Sequence, residues 1–196
     1  MLGKWLALVA ALALGFSAHA VSLGDDKAAI SADTQKKLDD WKVELAKWAS
    51  DPIVVSAVIE QNKVGPIPGM TEDKWKALKP RATEVKAFET CPAGEFLKKK
   101  VSESEGRVSE AFLSAEQGEK VAFTSKTSSY CHKGKGKFDK PFDSKKPWQG
   151  EPEFDESTQT QSIQIAVPVL EKRKEAGTEA EVAIGVLVVG IEISKL

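Results

Sequence analysis

The sequence predicts an α+β domain with a largely antiparallel sheet, on three observations. From Val182 to Ile191, apolar residues and glycine occupy both faces of an extended run: Ala183, Leu187, Val189 and Ile191 on one, Ile184, Val186 and Val188 on the other. Such a run is too short and too β-branched for an ordinary helix, so it reads as a central strand buried on both sides. Just before it, Ile163, Ile165 and Val167 alternate with Ser162, Gln164 and Ala166, the period of a strand with one wetter face. The two form a long hairpin whose charged connection, EKRKEAGTEAE, is expected to be a solvated tip. Third, the helical patterns precede the strand patterns, with about five strands and a long loop between the second and third.

The first twenty residues stand outside this fold. Lys4 gives a positive start, Trp5 to Phe16 an apolar run, and Ala18-His19-Ala20 a small-x-small site, the signature of a secretory signal peptide cut after Ala20. The apolar run is shorter than the roughly 20 residues a spanning helix needs, so a periplasmic or secreted protein with no membrane span after cleavage is expected. Removing 20 of 196 residues leaves 176, residues 21–196, enough for one domain with a real core. Without Lys4 the 28 basic residues against 29 acidic become 27 against 29, a formal charge of −2, which argues against nucleic acid as a partner.

Val21 to Ala32 reads as a loose lead-in. From Asp33, Leu38, Trp41, Leu45 and Trp48 recur at spacings of 3, 4 and 3, an amphipathic helix whose Leu/Trp stripe packs on the sheet. Asp51-Pro52 is an N-cap followed by a first-turn proline and opens a second helix through Val54, Val58 and Ile59 to about Lys63. Gly65, Pro66, Pro68 and Gly69 break it. Thr71 starts a short helix with Trp75 and Leu78, and Ala82 to Lys100 is helical around Val85, Phe88, Phe96 and Leu97, interrupted at Cys91-Pro92. Two strands come next, carrying Val108, Ala111, Phe112 and Leu113 and then Val121 and Phe123, joined by a tight turn at Gln117-Gly118. Tyr130 to Trp148, with glycine, proline and lysines 133, 135, 137, 140, 145 and 146, reads as a long irregular loop of the kind that carries function. GEPEFDES then forms a short edge strand before the closing hairpin.

Cys91 and Cys131 are the only cysteines, and in an exported chain they are candidates for a disulfide closing a loop of about forty residues.

The strings AFLSAEQGEKVAFTSKTSSY, KFDKPF, PWQGEPEFDESTQTQSIQIAVPVL and GVLVVGIEISKL resemble the exported single-domain Cache sensors, also called PAS-like extracytoplasmic or PDC sensor domains. The likeness runs from Asp51-Pro52 to Leu196 and is most specific in TSSY, GEPEFDEST and the final hairpin. It implies a long N-terminal helix packed on a five-stranded antiparallel PAS-like sheet. It also implies a small-ligand pocket between that sheet and the segment joining strands two and three. By position it carries over Tyr130 and Asp155 as ligand contacts, with Thr127 and Trp148 as neighbours. The tyrosine, arginine and tryptophan series of the amino-acid-binding members is missing, so the ligand class stays open among amines, amino acids and organic acids. A membrane sensor kinase or receptor is the implied partner.

Other chemistry is weakly supported. Asp155 offers an acceptor to a ligand ammonium, or caps a turn. Tyr130 closes a pocket, or packs beneath the loop. The lysine run attracts an anion, or is a solvated face; GKGK lacks the spacing of a phosphate-binding loop. Cys131-His132 could hold a haem, although the first cysteine of C-x-x-C-H is replaced by Ser128. His132 is the only histidine after residue 20, so a histidine-rich metal site is excluded, no cofactor is called for and no catalytic constellation is present. The expectation is a binding protein and not an enzyme; its alternative is a structural or interaction protein with a vestigial pocket.

Overall fold

The computed structural model describes residues 30–155, 160–175 and 178–196. The signal peptide and its cleavage site lie outside these. Six helices and five strands succeed one another as α1 (Ala32–Ala49), α2 (Pro52–Val64), α3 (Glu72–Ala77), α4 (Thr83–Thr90), α5 (Pro92–Glu103), β1 (Val108–Ala115), β2 (Lys120–Phe123), α6 (Gly136–Ser144), β3 (Trp148–Asp155), β4 (Thr160–Glu175) and β5 (Thr178–Glu192). The strands form one antiparallel sheet in the order β2-β1-β5-β4-β3, so the run expected to be central occupies the middle of it. A long N-terminal helix on a five-stranded antiparallel sheet is the α+β, PAS-like architecture the sequence led us to expect.

The helices α2 and α3 start at the caps the sequence places, while α1 starts at Ser31, inside the stretch read as a loose lead-in. Ser31, Asp51 and Thr71 each accept a backbone N–H of the first turn, at 3.1 Å from Thr34, 2.9 Å from Ile53 and 3.2 Å from Lys74. The Leu/Trp stripe of α1 buries Leu38, Leu45 and Trp48 against one face of the sheet, joined by Val54 and Val58 of α2 and Leu97 of α5. Each of these aliphatic side chains contributes about 1.5–3 kcal/mol by leaving water. Asn62 ties α2 to the sheet by donating to the Ile184 carbonyl at 2.8 Å and accepting from the Glu116 N–H at 2.9 Å. The helix sits so close that a Cβ built on Gly185 would lie 2.4 Å from the Ser114 carbonyl oxygen and 2.8 Å from a Val58 methyl.

The opposite face carries a second core, aromatic in character: Trp75, Val85 and Phe88 from α3 and α4, Phe138 and Phe142 from α6, and Tyr130, laid over Phe112, Phe123, Val186 and Val188. The sheet is therefore the middle of three layers.

Four expectations are corrected. The stretch from Tyr130 to Trp148 is not wholly irregular, since it contains α6; Phe138, Pro141 and Phe142 line one side of that helix and Lys145, at φ 56°, ends it. The charged connection of the closing hairpin is not a loop from Glu171 onward: the strands continue to Glu175 and Thr178, with Lys172 opposite Glu181 and Lys174 opposite Glu179. Opposite charges facing each other across a pair stabilise it. Ile184 belongs with the core under α1 and α2, not with Val186 and Val188, because the β4–β5 register shifts between Val169 and Leu170. Finally, Cys91 and Cys131 are free thiols. Cys91 packs against the core on one face of the sheet and Cys131 against that on the other, so the β1–β2 edge stands between them.

Candidate functional site

The sheet face beneath residues 124–147, the segment joining β2 and β3, holds a group of polar side chains that the strand pattern alone would not place there. The pairing of β1 with β2 runs Phe112 to Phe123, Leu113 to Ala122, and then Ser114 to Lys120, leaving Val121 as the extra residue of a bulge. A bulge turns the chain by one position and re-aims the side chains beyond it. Here it brings Lys120 to the same face as Phe123 and Phe112. Gly118, at φ 85°, closes the turn before it; a Cβ there would lie 2.3 Å from the Lys133 nitrogen, so turn and segment are pressed together.

Lys120 is completely buried, and its Nζ donates to His132 Nδ1 at 3.0 Å while standing 3.5 Å from the centre of the Phe112 ring. His132, itself buried, lies with its ring 4.6 Å from that of Phe112. Among the described residues, Lys120 has no carboxylate partner within ion-pair distance. Burial pushes its ammonium well below the usual lysine value; Glu110 opposes this, and Lys137 and Lys135 add to it. Burial, with Lys120 next to it, pushes His132 down to about 2, so its imidazole is neutral and Nδ1 is an acceptor. Ser114, the direct cross-strand neighbour of Lys120, is also fully buried, and its hydroxyl has no hydrogen-bond partner.

Around this pair runs a half-buried rim. Lys137 Nζ donates to Gln164 Oε1 at 2.6 Å, Gln164 Nε2 donates to Glu110 Oε1 at 2.8 Å, and Lys135 Nζ donates to the Ser129 hydroxyl. Three lysines, against Glu110 and, near Lys137, Glu153, thus gather at a single patch of sheet, a net positive environment of low polarity that strengthens any interaction with an anion.

The covering segment is fastened from α3. The Tyr130 hydroxyl accepts the Ile67 N–H at 2.8 Å, Trp75 Nε1 donates to the Thr127 carbonyl at 2.8 Å, and Glu72 accepts the N–H groups of Tyr130 at 3.2 Å and Cys131 at 2.8 Å.

Of the residues singled out from the sequence, Tyr130 is buried on this face with its ring 5.5 Å from that of Trp75, and burial raises its phenol. Thr127 lies in the same covering segment, its hydroxyl donating to the Ser129 carbonyl at 2.7 Å. Trp148 is half-buried at the start of β3, beside Phe142 and with Lys140 Nζ 5.6 Å from its ring. The backbone of Asp155 ends β3 opposite Thr160, and its side chain lies outside the described residues. Lys120 and Ser114 were missed as site residues, because simple alternation puts Val121 with Phe123 and turns Lys120 to the other side; His132 was weighed only as a haem ligand. The signal available was Gly118 next to a two-residue polar pair, Glu119-Lys120, in an otherwise apolar strand. His132 is buried, with its Nδ1 bonded to Lys120 at 3.0 Å and its ring 4.6 Å from that of Phe112.

The space expected for a ligand is filled in this conformation by Phe112, Tyr130, His132 and Phe138, all at most 4% exposed. Two cavities open on other surfaces. A cleft of about 530 Å³ lies between α1 and α5, walled by Trp41, Trp48, Lys100 and Arg107. A groove of about 630 Å³ runs between α2 and the start of α5, over Ile53, Val64 and Cys91.

No family model and no curated protein matches the chain. Among solved structures it is similar to the sensor domain of the V. cholerae histidine kinase DctB (13% identity, 82% of this chain and 51% of that one, TM-score 0.49). It is also similar to the ligand-binding domain of the Pseudomonas aeruginosa PAO1 amino acid chemoreceptor PctC in complex with GABA (15%, 83% and 62%, TM-score 0.37). A third is the sensory domain of the Campylobacter jejuni chemoreceptor Tlp3 with isoleucine bound (16%, 84% and 64%, TM-score 0.36). The chain thus spans between about half and two thirds of the length of these structures.

Proposed function

We propose that the protein is an extracytoplasmic small-molecule-binding domain that takes its ligand on the sheet face beneath residues 124–147 and reports to a separate membrane receptor or kinase. The observation that supports this most strongly is the bulge at Val121, which carries Lys120 into a closed face without an acid to meet it. Sealing a lysine away from water costs several kcal/mol unless something compensates, and a methionine would fill the same space at no such cost. A pure scaffold has no use for the arrangement. A binding face does.

On this reading the described conformation is the closed one, with Lys120 resting on His132. A ligand that contacts Lys120 shifts the population toward an arrangement in which the segment fastened by Tyr130, Thr127 and Glu72 has moved, since it can act only through different affinities for the two states. Trp148 borders the same segment at the start of β3, whereas Asp155 ends that strand. The signal peptide read from residues 1–20 supports the extracytoplasmic location.

The second reading, an interaction protein with a vestigial pocket, is favoured by the close filling of the face by Phe112, Phe138 and Tyr130. A thermal-shift screen against amino acids, amines and organic acids separates the two. A ligand at about 100 times its dissociation constant adds about 2.7 kcal/mol of stability. If no compound raises the melting temperature, the binding reading fails and the interaction reading replaces it.

A further inference from the structure

We infer that the ligand of this face is a small organic acid whose carboxylate is held by Lys120 Nζ and Ser114 Oγ. The inference rests on the reading that a ligand binds beneath residues 124–147, and it narrows that reading from any small molecule to an anion.

Three independent features point the same way. First, Lys120 and Ser114 are cross-strand partners at the bulge, so the lysine and the hydroxyl belong to the same face of the sheet. Both are fully buried; the hydroxyl has no partner, and the ammonium has only a neutral imidazole. A lysine offers three donors and no acceptor, and one of the three is used here. A carboxylate oxygen accepts from the remaining N–H groups and from the serine O–H, turning two uncompensated groups into a charge-assisted set. Second, the charge around the pair is lopsided. Lys135 and Lys137 face it, Glu110 opposes them, Glu153 acts on Lys137, and the Glu110 carboxylate already accepts from Gln164. An amine entering this patch would meet three like charges; an acid meets their sum. Third, the wall behind the pair is the face of Phe112 with Phe138 beyond it, which suits a short apolar body behind the carboxylate and not a strongly hydrated phosphate.

His132 stays neutral and accepts from Lys120, so the amine has a partner without a counter-charge. The anion takes over that role on binding.

The test compares matched compounds that differ in charge alone: acetate, propionate, benzoate and glutarate against acetamide, propionamide, benzamide and glutaramide, with propylamine and putrescine as cations. Binding to the purified protein is followed by calorimetry and by thermal shift. We expect at least one acid to bind and its amide to bind about 30-fold more weakly, the loss of one charged hydrogen-bonded contact. Lys120→Met should weaken the acid by a similar factor while melting no lower than the parent. Ser114→Ala, which removes one oxygen from a packed strand and leaves the lysine in place, should weaken it by about 3- to 10-fold and serves if Lys120→Met does not fold. Amides or amines that bind as well as the acids, with affinity untouched by Lys120→Met or Ser114→Ala, overturn the anion assignment and leave the binding reading standing. Silence from every class, including neutral and cationic compounds, overturns the binding reading itself and this inference with it.

Discussion

At the scale of single residues, Lys120 and His132 give the molecule its sharpest pH signature. Both bases have native pKa values below their ordinary ones, so the unfolded chain binds more protons than the native one over the interval between. Stability is therefore fully present above the unfolded value and is lost as pH falls below it. For His132 the interval runs from 6.5 down to about 2. His132→Asn, which keeps an acceptor toward Lys120 but cannot take up a proton, should match the parent's slope above pH 7 and gain on it below. At pH 4.5, two units below the unfolded value, the gain should be on the order of 3 kcal/mol. Urea melts of both proteins from pH 4 to 8 check this; parallel curves would mean that His132 is wetter than its 3% exposure implies. Lys120→Met should raise stability at pH 7 by about 1–4 kcal/mol, as apolar replacements of buried ionic groups do. A loss instead would show that the ammonium holds the face together.

At the scale of elements, what was legible in the sequence depended on how local its cause is. Helix starts at Asp51 and Thr71 arise from caps that bond within three residues, and the place of β5 arises from apolar residues on both sides of one run. The helix α6 was hidden by Pro141, which breaks a helical pattern on paper but here packs inward between Phe138 and Phe142. The length of the closing hairpin was hidden because opposed charges that pair across strands look like a loop when read along one. The bulge at Val121 is a decision of two strands together and leaves no periodic trace in either. That is why half of the proposed site, Lys120 and Ser114, escaped a reading that found Tyr130 and Trp148. The contact of α2 with β5 offers a direct test of packing. Gly185→Ala drives a methyl into the Ser114 carbonyl and Val58, so it should cost about 1–3 kcal/mol, seen as a lower denaturation midpoint. Tyr130→Phe removes the acceptor for the Ile67 N–H and should cost about 1 kcal/mol, with faster amide exchange at Ile67. Unchanged exchange there would detach the covering segment from α3.

At the scale of the whole molecule, two cores on one sheet divide the labour. The aliphatic side under α1, α2 and α5 holds the larger cluster of buried apolar side chains and supplies most of the burial. The aromatic side under α3, α4 and α6 admits a lysine, a histidine and a buried serine, and its covering segment is tied to Ile67, Glu72 and Trp75 by four hydrogen bonds and to the sheet and its turn by others, among them the His132 N–H to the Gly118 carbonyl at 2.7 Å and Lys137 to Gln164 at 2.6 Å. The measurement that bears most directly on this division is the map of backbone amide shifts in solution when a compound from the thermal-shift screen is added. The largest changes should fall at Ser114, Lys120 and His132 and along residues 124–147. Changes confined to the cleft of Trp41 and Trp48, or to the groove over Cys91, would contradict this and move the binding site to the opposite side of the sheet.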